Sequence, residues 1–106
     1  MSISDRYRQL VNEIQAYYEE MKDVAASEEV AELRMIGKAT LELKDLQDSV
    51  GEIPRIRLES QLTPVLLKAH SQLDRARLLL DEQGEEDRAA EVWELEQKIY
   101  RLLNDL

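Results

Sequence analysis

The sequence predicts an all-α protein: an antiparallel up-and-down four-helix bundle whose third helix is long and bent at a proline. Three observations carry that expectation. Leucine, alanine, glutamate, lysine and arginine dominate a chain with no phenylalanine, three glycines and two prolines, and such side chains lose little rotamer freedom in a helix. Apolar residues recur at three-and-four spacing in four segments, the signature of amphipathic helices. Short turns separate those segments, which sets consecutive helices side by side in opposite directions. The 106 residues form one domain, enough for a single modest core.

The first helix is expected from about Ser4 to Ala25. Ile3, Tyr7, Leu10, Val11, Ile14, Tyr17, Tyr18, Met21 and Val24 fall on one stripe, with Tyr17 and Tyr18 diverging to its two edges. Ser2 and Asp5 have capping-box spacing, with Ser4 as a competing cap. A tight turn is expected at Ala26-Ser27-Glu28-Glu29, where Ser27 can cap a second helix and the glutamates suit its positive first turn. That helix is expected from Glu28 to Val50, with Leu33, Ile36, Leu43, Leu46 and Val50 inward, Met35 and Ala39 widening the arc, and Leu41 off it. Gly37 inside it costs about 1 kcal/mol relative to alanine, which a close helix crossing would explain. Gly51 and Pro54 supply the stop.

The third helix occupies the stretch from Gly51 to Gly84. Thr63-Pro64 resembles a cap followed by proline at a first helical position, which would split the segment. Phase argues otherwise. Leu58 and Leu62 lie on the same angular face as Leu66, Ala69, Leu73 and Leu80 when the rotation is carried through Pro64, and a new helix would have no reason to keep that phase. One helix of about 45 Å, bent where the proline ring removes a donor, is the expectation. Gly84 ends it, and Glu85-Glu86-Asp87 opens a fourth helix that runs to about Asn104 with Val92, Leu95, Ile99, Leu102, Leu103 and Leu106 inward. Glu94 and Lys98 have the spacing of a favourable surface pair. The hairpin from Leu78 through Gly84 to Arg88-Ala89-Ala90 resembles the turn between the helices of a tetratricopeptide unit, a likeness that recurs nowhere else in the chain.

Charge narrows the function classes. The chain carries a net charge of −9, and neither half is basic, so nucleic acid is not an expected partner. No stretch is apolar for long enough to span a bilayer, and Met1-Ser2-Ile3-Ser4-Asp5 is too polar for a secretory signal. Cysteine is absent, which removes disulfides and thiolate metal sites. The cytoplasm is the default location.

The search for chemistry returns little. The single histidine, His70, has Asp74 one turn later, a spacing that suits a base or a metal ligand but more commonly marks a surface pair at a core margin. A bundle di-metal site would need Glu-x-x-His motifs, and position 67 is leucine. No glycine-rich loop can cradle phosphate, and no serine has a neighbouring base in a recognisable motif. No cofactor, no metal and no small-molecule substrate are implied. The chain is not expected to be an enzyme.

What remains is apolar surface beyond the needs of a small core. Trp93 and Tyr100 lie seven apart on one flank of the fourth helix, with Glu96 between them. Leu67 and Leu78 are displaced from the main stripe of the third helix, with Ser71 and Asp74 between them. Those residues (Trp93, Tyr100, Glu96, Leu67, Leu78 and Asp74) are the candidate protein-interaction site, because aromatic anchors are enriched at such surfaces. The alternative is that a wide arc simply contacts two neighbouring helices. The expected function is therefore protein binding or self-association, as an adaptor, assembly factor or homo-oligomeric scaffold. A second reading is an inhibitor of the immunity-protein or antitoxin kind, since small four-helix bacteriocin immunity proteins are similar in size and architecture. A third is a metal-dependent enzyme built on carboxylates and His70.

Overall fold

A computed structural model describes residues 1–25 and 30–106. Four helices carry the fold: α1 (Ile3–Val24), α2 (Ala31–Gln47), α3 (Arg55–Glu82) and α4 (Glu86–Asn104), with one 3₁₀ turn at Val50–Glu52 before α3. They pack against one another around a single core, and there is no strand among the described residues. Among the described residues no helix is long and apolar enough to cross a membrane.

The periodic stripes become the core. Tyr7, Val11, Ile14, Ile36, Leu43, Leu62, Leu66, Leu73, Val92 and Ile99 are all fully buried. Val24, the last residue of α1, departs from its stripe and is exposed. Contacts between sequence neighbours run in opposite residue order. The Tyr7 hydroxyl donates to the Leu43 carbonyl at 2.6 Å, whereas Tyr18 lies over Gly37. Gln72 and Lys68 reach Glu42 on α2, whereas Gln83 reaches Glu32.

Local chemistry sets the ends. The Ser2 hydroxyl accepts from the Asp5 backbone N–H at 3.1 Å and caps α1, while the competing Ser4 donates to the Val50 carbonyl instead. The proposed turn at Ala26-Ser27-Glu28-Glu29, with its Ser27 cap, lies outside the described residues. The second helix is shorter than expected: it stops at Gln47 rather than Val50, because Val50 is drawn into the core and its carbonyl is taken by Ser4 of α1. The third runs unbroken from Arg55 to Glu82 with Pro64 inside it. The carbonyl that Pro64 cannot satisfy belongs to Ser60, and both residues are exposed, so water can take the place of the missing donor. At 28 residues α3 is about 42 Å long and accounts for the 43 Å long axis of the molecule.

Gly84 closes α3 with a left-handed φ of +79°. The Glu85 N–H donates to the Leu80 carbonyl at 2.9 Å and the Gly84 N–H to the Asp81 carbonyl at 3.1 Å, the two bonds of a Schellman stop. Gly37 is explained by close approach. A Cβ there would stand 2.8 Å from the Tyr18 ring, so the absence of a side chain lets the tyrosine of α1 approach the α2 backbone closely. The two edges of the α1 stripe are thus used differently: Tyr18 faces α2, and the Tyr17 hydroxyl reaches the Arg88 carbonyl of α4.

Candidate functional site

The seam between α3 and α4 collects what the sequence singled out. On α3, Leu62, Leu66, Ala69, Leu73, Ala76 and Leu80 are buried, which leaves two flanks. One flank carries Lys68 and Gln72 toward α2. The other carries His70 and Arg77, both of which touch Glu96 of α4. By the helical repeat, Leu67 and Asp74 lie further out on that same flank, and Leu78 beyond them, near the side of α3 that faces away from the core. On α4, Lys98 and Asp105 turn toward α1, where they meet Glu13 and Arg6. Glu96 turns toward α3, and the repeat sets Trp93 and Tyr100 just outside it.

The result is a polar seam with apolar lips. Glu96 is only 2% exposed, whereas Leu67 (52%), Leu78 (48%), Trp93 (48%) and Tyr100 (55%) remain half open to solvent. Because α4 folds back along α3 from the Gly84 turn, Leu78 stands at the level of Trp93 and Leu67 near that of Tyr100. The second face of α3 is therefore not wrapped by the bundle. Ile56, 91% exposed, continues the same flank toward the start of α3.

Electrostatics inside the seam is shaped by one guanidinium. Arg77 donates to Asp74 Oδ1 through Nε at 3.0 Å and through Nη2 at 2.8 Å, and to Asp81 Oδ2 through Nη1 at 3.3 Å. That bonding holds the Asp74 carboxyl below its usual range. Glu96 is left out: Oε2 lies 3.4 Å from Arg77 Nε but has no hydrogen-bond partner, since the Nε–H is aimed at Asp74. Burial pushes the Glu96 carboxyl up to about 8, helped by the hydrogen bond and charge of Asp74 and opposed by Arg77. Two features of the cluster pull in opposite directions here, because the short Arg77 distance suggests an ion pair and the raised pKa does not. The bonding decides it. With Arg77 engaged by the two aspartates, Glu96 is best satisfied as a neutral acid donating its proton to Asp74 at pH 7.

His70 does not pair with Asp74 as the spacing suggested. Its Nε2 lies 3.7 Å from Glu96 Oε1, too long for a hydrogen bond, while Asp74 has turned to Arg77. Glu94 and Lys98 likewise do not pair, because the Lys98 ammonium reaches Glu13 of α1 at 2.6 Å. Among the described residues no group of three His, Asp or Glu side chains could hold a metal ion, and a guanidinium already stands among these carboxylates.

Arg77 is the residue that sequence reasoning missed. The signal that could have found it is its three-residue spacing from Asp74 and four-residue spacing to Asp81. Around it the surface forms a shallow recess lined by Arg77, Asp81, Glu86, Ala89, Ala90 and Trp93. No family model matches the chain, and neither a curated protein nor a solved structure matches it.

Proposed function

We propose that this chain acts without catalysis, by binding protein through the outer face of the α3–α4 seam. The observation that supports the reading is the pairing of Leu67 and Leu78 with Trp93 and Tyr100, four large apolar side chains about half exposed on the two lips of one seam. Scattered exposed leucines are ordinary on a protein surface, but apolar residues gathered on one face mark interaction sites. Trp and Tyr are also the side chains that most commonly anchor such contacts. The acidity of the chain favours a protein over a nucleic acid, and the absence of a spanning helix is compatible with the cytoplasmic setting we assign to it.

Placing a photo-crosslinking residue at position 67 or 93 in the expressing cell should give discrete higher-mass adducts. The same residue at Leu41, which is exposed on α2, should give none. A chain that sediments as a monomer and yields no adduct from either seam position overturns the proposal.

A further inference from the structure

Resting on that reading, the geometry points to a particular occupant: we infer that the α3–α4 face takes an amphipathic helix of another protein, anchored by one of its arginine or lysine side chains in the recess beside Trp93. The recess supplies both halves of what such a side chain needs. Ala89, Ala90 and the Trp93 ring offer an apolar wall for the aliphatic stem, and Asp81 and Glu86 stand at its rim for the charged head. Long basic side chains are accommodated in this divided way, and a cation resting over an indole face gains further attraction.

Charge selects the partner. Along the seam the carboxylates are Asp74, Asp81, Glu86 and the buried Glu96, and the cationic groups facing them are Arg77 and His70. Arg77 is spent on Asp74 and Asp81. Lys68 and Lys98 have turned away to Glu42 of α2 and Glu13 of α1, and Arg75 is set by the helical repeat past the outer side of α3, toward the flank that carries Lys68 and Gln72. Arg77 also lines the recess, but its one positive charge is shared between Asp74 and Asp81, so with Glu86 the rim keeps a net negative charge. A second copy of the chain fits poorly, since a two-fold contact lays a surface against itself. It would bring this acidic face against the same face of a molecule that also carries nine excess negative charges.

Dimensions select a helix. Four half-exposed side chains make a small patch beside the roughly 20–30 residues per side of a standard globular interface, but they suit the groove mode in which a helix lays one stripe between two others. Leu67 and Leu78 are eleven residues apart, about 16 Å along α3. A partner helix of about four turns covers that distance and reaches the recess, with apolar residues at i, i+4 and i+11 over Leu67, Tyr100 and Leu78, and the basic residue at i+15 in the recess.

The test uses two 18-residue synthetic helices of identical composition and net charge. One carries leucines at i, i+4 and i+11 with arginine at i+15. In the other that arginine is exchanged with a glutamate from the opposite face. Fluorescence anisotropy against the full chain should show the first binding at least tenfold tighter. Chemical-shift changes should centre on Trp93 and Leu67, and Asp81→Asn/Glu86→Gln should abolish the preference without weakening the second peptide. These two carboxylates are exposed, so the double variant keeps the fold. Equal binding of both peptides to this face overturns the arginine anchor and leaves the docking surface standing. A dimer that excludes both peptides and dissociates on Trp93→Ala overturns the heterologous helix and again leaves the surface standing. A monomer that binds neither peptide, or binds both across its general acidic surface, overturns the inference, and the crosslinking experiment then decides separately whether the face binds protein at all.

Discussion

The α1–α2 seam and the α3–α4 seam are built from the same kind of amphipathic helix and are closed by opposite chemistry. Between α1 and α2, the polar group that enters the core is a neutral phenol, Tyr7, satisfied by the Leu43 carbonyl at 2.6 Å. Close contact there comes from a missing side chain, with Tyr18 resting on Gly37. Between α3 and α4, the group that enters is a carboxyl, Glu96, and its neighbours are Asp74, Arg77 and His70. The first seam holds its partners at any ordinary pH. The second holds them under conditions, and it alone presents large apolar side chains on both of its lips. Burying a titratable group where a hydrophobic one would pack well sacrifices stability, and that sacrifice falls on the face we assign to binding.

The comparison is broken most directly at Glu96. Its folded pKa of about 8 lies above the ordinary value of 4.5, so between those values the folded chain binds more protons than the unfolded one. Stability should therefore fall as pH rises from about 4.5 to 8, with a limiting slope of about 1.4 kcal/mol per pH unit for one proton. Below that window the depressed pKa of Asp74 acts in the opposite sense, and stability present above pH 3.8 is lost as acid titrates its folded carboxyl. Glu96→Gln should remove the alkaline slope. It should be close to neutral at pH 5 and more stable than the parent at pH 9, by a few kcal/mol, in urea titrations run at both pH values. Equal slopes in the two proteins would mean that Glu96 is charged throughout.

Tyr7→Phe tests the other seam. It leaves the shape of the core and takes one donor from a buried carbonyl, at a cost of about 1–2 kcal/mol. Burial holds the Tyr7 hydroxyl well above its usual range, so that cost should be the same at pH 5 and pH 9. A pH-dependent loss would erase the distinction between the seams. A smaller effect sharpens it: Gly37→Ala brings a helix-propensity gain of about 1 kcal/mol against a methyl driven into the Tyr18 ring. The substitution should be neutral or destabilising in the parent and stabilising by about 1 kcal/mol in a Tyr18→Ala background. Identical effects in both backgrounds would mean that the ring yields freely. Smallest of all, Leu67→Ser should move stability by no more than about 0.5 kcal/mol, because a docking lip contributes little to the fold. A loss above 2 kcal/mol would make Leu67 part of the core.

Much of this architecture was legible because periodicity reports which face of a helix is buried. Leu58, Leu62, Leu66 and Leu73 kept phase through Pro64, and the helix does run through it. The same repeat put Leu67, Leu78, Trp93 and Tyr100 on flanks, and those side chains are half exposed. Periodicity does not report register between helices, and the seam depends on register. Glu96 was placed between Trp93 and Tyr100, but nothing in its own helix says that Arg77 and His70 arrive opposite it. Local charge rules failed for a related reason. Glu94 and Lys98 satisfy the helical spacing, yet Lys98 finds Glu13 of another helix at 2.6 Å, because a surface pair worth a few tenths of a kcal/mol is readily outcompeted.

The Schellman stop at Gly84 has a kinetic consequence. It joins the longest helix to α4 through a connection so short that closing it costs little chain entropy, and pairings local in sequence form fastest. The α3–α4 hairpin is thus the part of the chain best placed to form early, and it contains Glu96. A carboxyl that must be neutral to enter the hairpin should make refolding slow as pH rises toward 8 while leaving unfolding little changed, so the chevron would move on its folding limb.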